Sequence, residues 1–168
     1  RGNISITNGG SIQGAELTMS PNSQFIVTGQ AASGNHSTYN SLFRPLITSQ
    51  NNILTVSNGG HFIDGDGITL SGQGTSMLVT DPGSELVLSV IGKLVGTTGF
   101  YVGLSSGSNS SLTIANGANL TSNTYNYIGY SANSTGGVTI TGPGSVWNAT
   151  GNIVVGNATN STGSRTLA

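Results

Sequence analysis

Ser111-Leu112-Thr113-Ile114-Ala115-Asn116-Gly117-Ala118 and Gly137-Val138-Thr139-Ile140-Thr141-Gly142-Pro143-Gly144 decide the fold of this chain. In each, two aliphatic side chains stand two residues apart with a Thr between them, which is the period of a half-buried strand. A turn sequence follows at once. Eleven residues before Ile114, Ile140 and Leu167 stands a glycine that closes another short strand: Tyr101-Val102-Gly103, Tyr127-Ile128-Gly129 and Val154-Val155-Gly156.

The strand-plus-turn unit recurs upstream. Ile4-Ser5-Ile6 runs into Asn8-Gly9-Gly10, Leu54-Thr55-Val56 into Asn58-Gly59-Gly60, and Met77-Leu78-Val79 into Asp81-Pro82-Gly83, with Phe25-Ile26-Val27 before Gly29 as a looser copy. The anchors Ile6, Val27, Val56, Val79, Ile114, Ile140 and Leu167 are 21, 29, 23, 35, 26 and 27 residues apart. A period of this size with variable insertions marks a solenoid. β-branched residues favour strands, and Gly or Pro every few positions would break a helix. Second strands are expected around Ile12, Phe62, Leu120 and Val146-Trp147, and third strands at Leu17-Thr18-Met19, Ile68-Thr69-Leu70 and Tyr101-Val102. Three short strands cannot bury an apolar face until coil stacks on coil. The expected fold is therefore all-β, a right-handed parallel β-helix of about six to seven coils of 21–35 residues, with the anchors inside and Thr113 and Thr139 facing water. An antiparallel sandwich would instead need two-residue hairpins and no preserved 11-residue register. One residue departs from the pattern: Arg165 occupies the inward slot of Leu112 and Val138, read as an effect of lying in the last coil.

Composition narrows the function. Only 5% of the 168 residues are charged and the net charge is −1, whereas phosphate binding needs clustered Lys and Arg. Nucleic acid is thus not an expected partner. No apolar run approaches the ~20 residues of a membrane-spanning helix, so direct membrane insertion is not expected of this segment. There is no cysteine, and Arg1-Gly2-Asn3 enters an ordinary repeat with no export signal, as in a piece of a longer protein.

The segment from about 110 to 168 resembles the passenger repeats of adhesin-type bacterial autotransporters, through Ser111–Ala118, Gly137–Trp147 and Gly151-Asn152-Ile153-Val154-Val155-Gly156; Ile53–Gly60 is similar. Residues 1–30 fit loosely, and 31–50 and 87–100 do not fit. The resemblance implies secretion or display on the bacterial surface, with an export signal and an outer-membrane barrel outside these residues. It also implies adhesion to a host surface protein or glycan, or self-association. A carbohydrate-active domain is the alternative, and a spacer or a released passenger engaging a host receptor are others.

No cofactor, metal or catalytic residue is assigned. Asp64-Gly65-Asp66-Gly67 offers two carboxylates for Ca²⁺, but a turn built by Asp and Gly accounts for them. Asp64 with Asp66, or Asp81 with Glu85, could span the roughly 5–9.5 Å that glycosidic chemistry needs. No basic or aromatic cluster accompanies either pair, and Asp81 aligns with Gly142 in the turn before a proline. His61 has no nucleophile elbow beside it and reads as an outward strand residue. Trp147 corresponds to Leu86 and reads as coil packing.

Insertions are where a solenoid places its binding residues. Two are expected, near 31–47 and 87–100 of a single β-helix segment. The candidate partner-binding residues are His36, Tyr39, Phe43 and Arg44 in the first and Lys93 in the second, together with Tyr125, Tyr127 and Tyr130, of which the first two share a face by strand alternation.

Overall fold

The computed structural model describes residues 1–14, 16–89 and 99–168. Within them, eighteen strands numbered in chain order form three parallel sheets and no helix. The first sheet stacks β1 (Asn3–Ile6), β3 (Gln24–Thr28), β6 (Ile53–Ser57), β9 (Gln73–Thr80), β12 (Asn109–Ala115), β15 (Thr135–Thr141) and β18 (Thr162–Leu167). The second stacks β2 (Ser11–Gln13), β4 (Thr38–Ser41), β7 (His61–Asp64), β10 (Glu85–Leu88), β13 (Asn119–Ser122) and β16 (Val146–Ala149). The third stacks β5 (Leu46–Ile47), β8 (Thr69–Leu70), β11 (Phe100–Val102), β14 (Asn126–Ile128) and β17 (Ile153–Val155). Each strand pairs with its equivalent one coil away, always in parallel, so the chain is a parallel β-helix and not a sandwich of hairpins.

The register follows the repeat. Ile6 pairs with Val27, Val27 with Val56, Val56 with Val79, Val79 with Ile114, Ile114 with Ile140 and Ile140 with Leu167. All but Leu167 are buried. Ile26 and Leu78, which break the apolar–hydroxyl alternation, fall in the outward column with Thr55, Thr113 and Thr139. Five coils are complete in all three sheets, fewer than the six to seven expected. The first coil forms its third side only through a bridge between Thr18 and Leu46, and β18 is a single strand of a further turn.

Corners explain the turn residues. Two positions past each of the first six anchors the chain is left-handed, at Asn8, Gly29, Asn58, Asp81, Asn116 and Gly142, with φ between 50° and 85°. Asn, Asp and Gly tolerate that conformation best. The asparagines also brace the column, Asn58 and Asn116 donating to the hydroxyls of Thr28 and Thr80 in the preceding coil at 3.3 and 3.1 Å.

The second sheet corrects one expectation. β4 and β5 both lie inside the span 31–47 that was expected to loop out. Tyr39 pairs in register with Ile12 and Phe62, and it is 1% exposed. Its ring packs edge-on to Phe25 at 5.3 Å and against Phe62 at 4.7 Å, while its hydroxyl bonds Ser41 and the backbone of Leu17. Tyr39 is therefore a core residue and not a contact residue. The extra chain in this coil is the short arc closed by the antiparallel bridge between Gln30 and His36. In the second expected insertion, β10 extends to Leu88 and β11 begins at Phe100; its candidate Lys93 lies outside the described residues.

Candidate interaction surface

Strands of the third sheet are only two or three residues long, and their outward column runs Leu46, Thr69, Tyr101, Tyr127, Val154. Because equivalent residues stack one strand spacing apart, the rings of Tyr101 and Tyr127 lie parallel, 5.0 Å between centres and 12° between planes. Thr69 before them is small and buried. The Arg44 guanidinium lies over Tyr101, 6.0 Å from its centre, a cation–π distance. Tyr125 stacks on Tyr127 at 6.2 Å and 18°, as strand alternation requires. Asn126 between them turns inward and donates to the carbonyls of Thr124 and Asn152 at 2.9 and 3.1 Å. Tyr130 stands crosswise, at 79° to Tyr127 and 89° to Tyr101. Four of the five tyrosines thus meet on one face.

Glycine makes room for this cluster. A Cβ on Gly99 would lie 2.8 Å from the Tyr101 ring. Gly129, left-handed at φ 69°, closes β14, and a Cβ there would lie 2.4 Å from the Thr162 carbonyl oxygen. Burial raises the pKa of Tyr101, with Tyr127 and Tyr130 adding to the shift and Arg44 opposing it. Tyr127 is also raised, by burial first and then by Tyr130 and Tyr125. Both shifts favour the protonated phenols of Tyr101 and Tyr127, and a phenol can both donate and accept a hydrogen bond.

A second grouping lies on the outer side of the second sheet. His36 stacks on His61, 3.9 Å between centres and 17° between planes. Its Nδ1 lies 2.5 Å from the Gly59 carbonyl oxygen, and its Nε2 lies 3.4 Å from the Gln30 amide nitrogen. His61 faces outward as expected, between Thr38 and Glu85 in adjacent strands. Burial first, then His36, lowers its pKa, while Glu85 and a backbone bond to Gly83 pull it upward.

The expected contact residues therefore separate. Arg44, Tyr125, Tyr127 and Tyr130 come together, Phe43 is 54% exposed beside Arg44, and His36 lies apart from them, stacked on His61 of the second sheet. Tyr101 was not among the candidates. Its signal is present all the same, since it precedes Val102-Gly103 as Tyr127 precedes Ile128-Gly129.

The aspartates stand at corners. Asp64 is fully buried at the end of β7, and its Oδ1 accepts the backbone N–H of Asp66 at 2.7 Å, an Asx turn. Asp81 follows β9 at another corner, left-handed, and accepts the Asn58 N–H at 3.3 Å. Trp147 pairs with Leu120, itself paired with Leu86. It packs edge-on to Phe100 at 6.1 Å and donates to the Ser122 hydroxyl at 2.9 Å. Among the described residues no group of three His, Cys, Asp or Glu side chains is placed to hold a metal ion, and no helix is long and apolar enough to cross a membrane. Neither a protein-family model, a curated protein nor a solved structure matches the chain.

Proposed function

We propose that this β-helix is a non-catalytic segment of an exported, surface-displayed passenger, and that it works by contact with a host surface component or with another copy of itself. The observation that carries this reading is the tyrosine face of the third sheet. Rings that combine an apolar body with a polar tip are favoured at interfaces. Here Tyr125, Tyr127 and Tyr130 stand exposed or half-exposed on the outside of a scaffold whose interior is already filled by aliphatic and aromatic residues. Two of the acidic residues, by contrast, serve turns: Asp64 closes an Asx turn and Asp81 a left-handed corner. The resemblance of residues 111–118 and 137–156 to adhesin-type passenger repeats supports the export route.

Attachment of beads coated with the 168-residue chain to host cells, and of beads to each other, tests the reading. Tyr101→Ala, Tyr125→Ala, Tyr127→Ala and Tyr130→Ala combined should abolish both kinds of attachment while circular dichroism stays that of a β-helix. Full attachment by the folded variant would reject it.

A further inference from the structure

The tyrosine face has a composition and a repeat that name a class of ligand. Apart from the single half-exposed cation Arg44 over Tyr101, its exposed and half-exposed hydrogen-bonding groups include the phenols of Tyr125, Tyr127 and Tyr130 and the carboxamides of Asn152 and Asn157 in the next coil. Asn152 follows Tyr125 in the stack, and Asn157 follows Tyr130, whose carbonyl accepts the Asn157 amide at 3.4 Å. These groups are neutral, and each type both donates and accepts hydrogen bonds. A polyanion needs several cations in a row, and the whole chain has four Lys and Arg. The complement of neutral donor–acceptor groups beside aromatic carbon is a neutral sugar, with hydroxyls on its rim and C–H groups on its ring faces.

Spacing agrees with chemistry. Equivalent positions recur along the solenoid axis at the strand spacing, 5.0 Å from the Tyr101 ring to the Tyr127 ring, which is close to the length of one pyranose unit in an extended chain. A glycan laid along the axis would meet the phenols of Tyr125 and Tyr130 in one coil and the carboxamides of Asn152 and Asn157 at the same positions in the next. We propose that the outer face of β11, β14 and β17 binds an extended, uncharged polysaccharide parallel to the solenoid axis. Tyr125, Tyr127 and Tyr130 supply hydroxyl and ring contacts, and Asn152 and Asn157 hydrogen-bond the adjoining sugar. The assignment rests on the contact function proposed above and specifies its ligand.

The test is an array of linear neutral glycans, β-glucans and chito-oligosaccharides among them, beside sulfated and sialylated ones, probed with the 168-residue chain. Signal should be confined to neutral extended glycans and grow with length from monosaccharide to tetrasaccharide. Tyr127→Ala and Tyr130→Ala should each weaken it about tenfold, a loss of about 1.4 kcal/mol. Tyr127→Phe, which keeps the ring, should weaken it less, and Thr113→Ala on the first sheet should leave it unchanged. Absence of signal, signal from anionic glycans alone, or indifference to the tyrosine substitutions would overturn the assignment. Cell attachment lost in the tyrosine variants without any glycan binding would overturn the ligand but leave the contact function standing. Attachment unaffected by those variants would remove the contact function whatever the array shows.

Discussion

Arg165 stands one coil beyond Val138 in an inward column, and its guanidinium lies 5.4 Å from the centre of the Trp147 ring. The earlier members of that column are Ile4, Phe25, Leu54, Met77, Leu112 and Val138. A cation therefore continues an apolar row by covering an aromatic face. Such contacts contribute about 0.5–1 kcal/mol at exposed sites. Arg165→Ala should speed amide exchange across Thr162–Leu167 and shift Trp147 fluorescence, with little change in the global unfolding midpoint. Unchanged exchange and emission would show that the contact holds nothing.

Within this chain β1 and β18 are each paired on one side only, and Ile4 and Leu167 are 46% and 66% exposed. Unpaired strand edges template further pairing, and a net charge of −1 opposes it weakly. The isolated 168-residue chain should fray or associate through these strands, seen as concentration-dependent light scattering. A monomer at high concentration with protected amides in both strands would contradict this.

Leu112 and Leu78 are the same residue type in neighbouring strands on opposite faces: Leu112 pairs with Met77 inside, and Leu78 with Thr113 outside. Leu112→Ala should cost about 2–5 kcal/mol through lost burial and a cavity. Leu78→Ala, at a side chain 37% exposed, should cost under about 1 kcal/mol. Urea unfolding of the two variants decides, and equal losses would mean that the column assignment is wrong.

His61 has its pKa lowered below the ordinary 6.5 by burial and by His36. The unfolded chain then binds the proton more readily than the folded one. The resulting stability is complete above about pH 6.5 and is lost as pH falls through the lower folded value. Protonation would also put a cation against the stacked His36 ring. Thermal unfolding midpoints should fall more steeply below neutrality for the natural chain than for His61→Gln, with Glu85 moderating the slope. Parallel profiles would remove the coupling.

Gly129 and Gly107 are both left-handed, at φ 69° and 77°. Nothing lies within 4 Å of a Cβ built on Gly107, whereas one on Gly129 meets the Thr162 carbonyl at 2.4 Å. Gly107→Ala should cost only the strain of the conformation, about 1–2 kcal/mol. Gly129→Ala should cost clearly more, because backbone must move between two coils. Similar unfolding midpoints would reject the steric argument.

Much of this architecture is legible in the residues themselves. Seven anchors define the first sheet because Ile, Val and Leu alternate with hydroxyl residues there, and the turns after them fix the corners. Leu86, Leu120 and Trp147 can be aligned from the same turns. β4 is harder to read because Thr38-Tyr39-Asn40-Ser41 contains no aliphatic residue. Only the stack shows that Tyr39 fills the place of Ile12 and Phe62. The tyrosine face is legible by half: alternation puts Tyr125 and Tyr127 together, but Tyr101 joins them through a coil register set 26 residues earlier. His36 and His61 meet for the same reason, across coils, where no local pattern connects them.

The coil register makes the molecule divisible. Ile114 and Ile140 occupy the same point on successive turns, so the backbone leaves both in the same direction. Joining Ile114 directly to Thr141 would delete one whole turn, with β13 and β14, and let β16 pair with β10 where β13 did. The rod would shorten by one strand spacing, about 4.8 Å, and lose Tyr125, Tyr127 and Tyr130 with it. Length and recognition are therefore separable quantities in this chain: a turn can be added or withdrawn as a unit, carrying its surface along and leaving its neighbours' geometry intact.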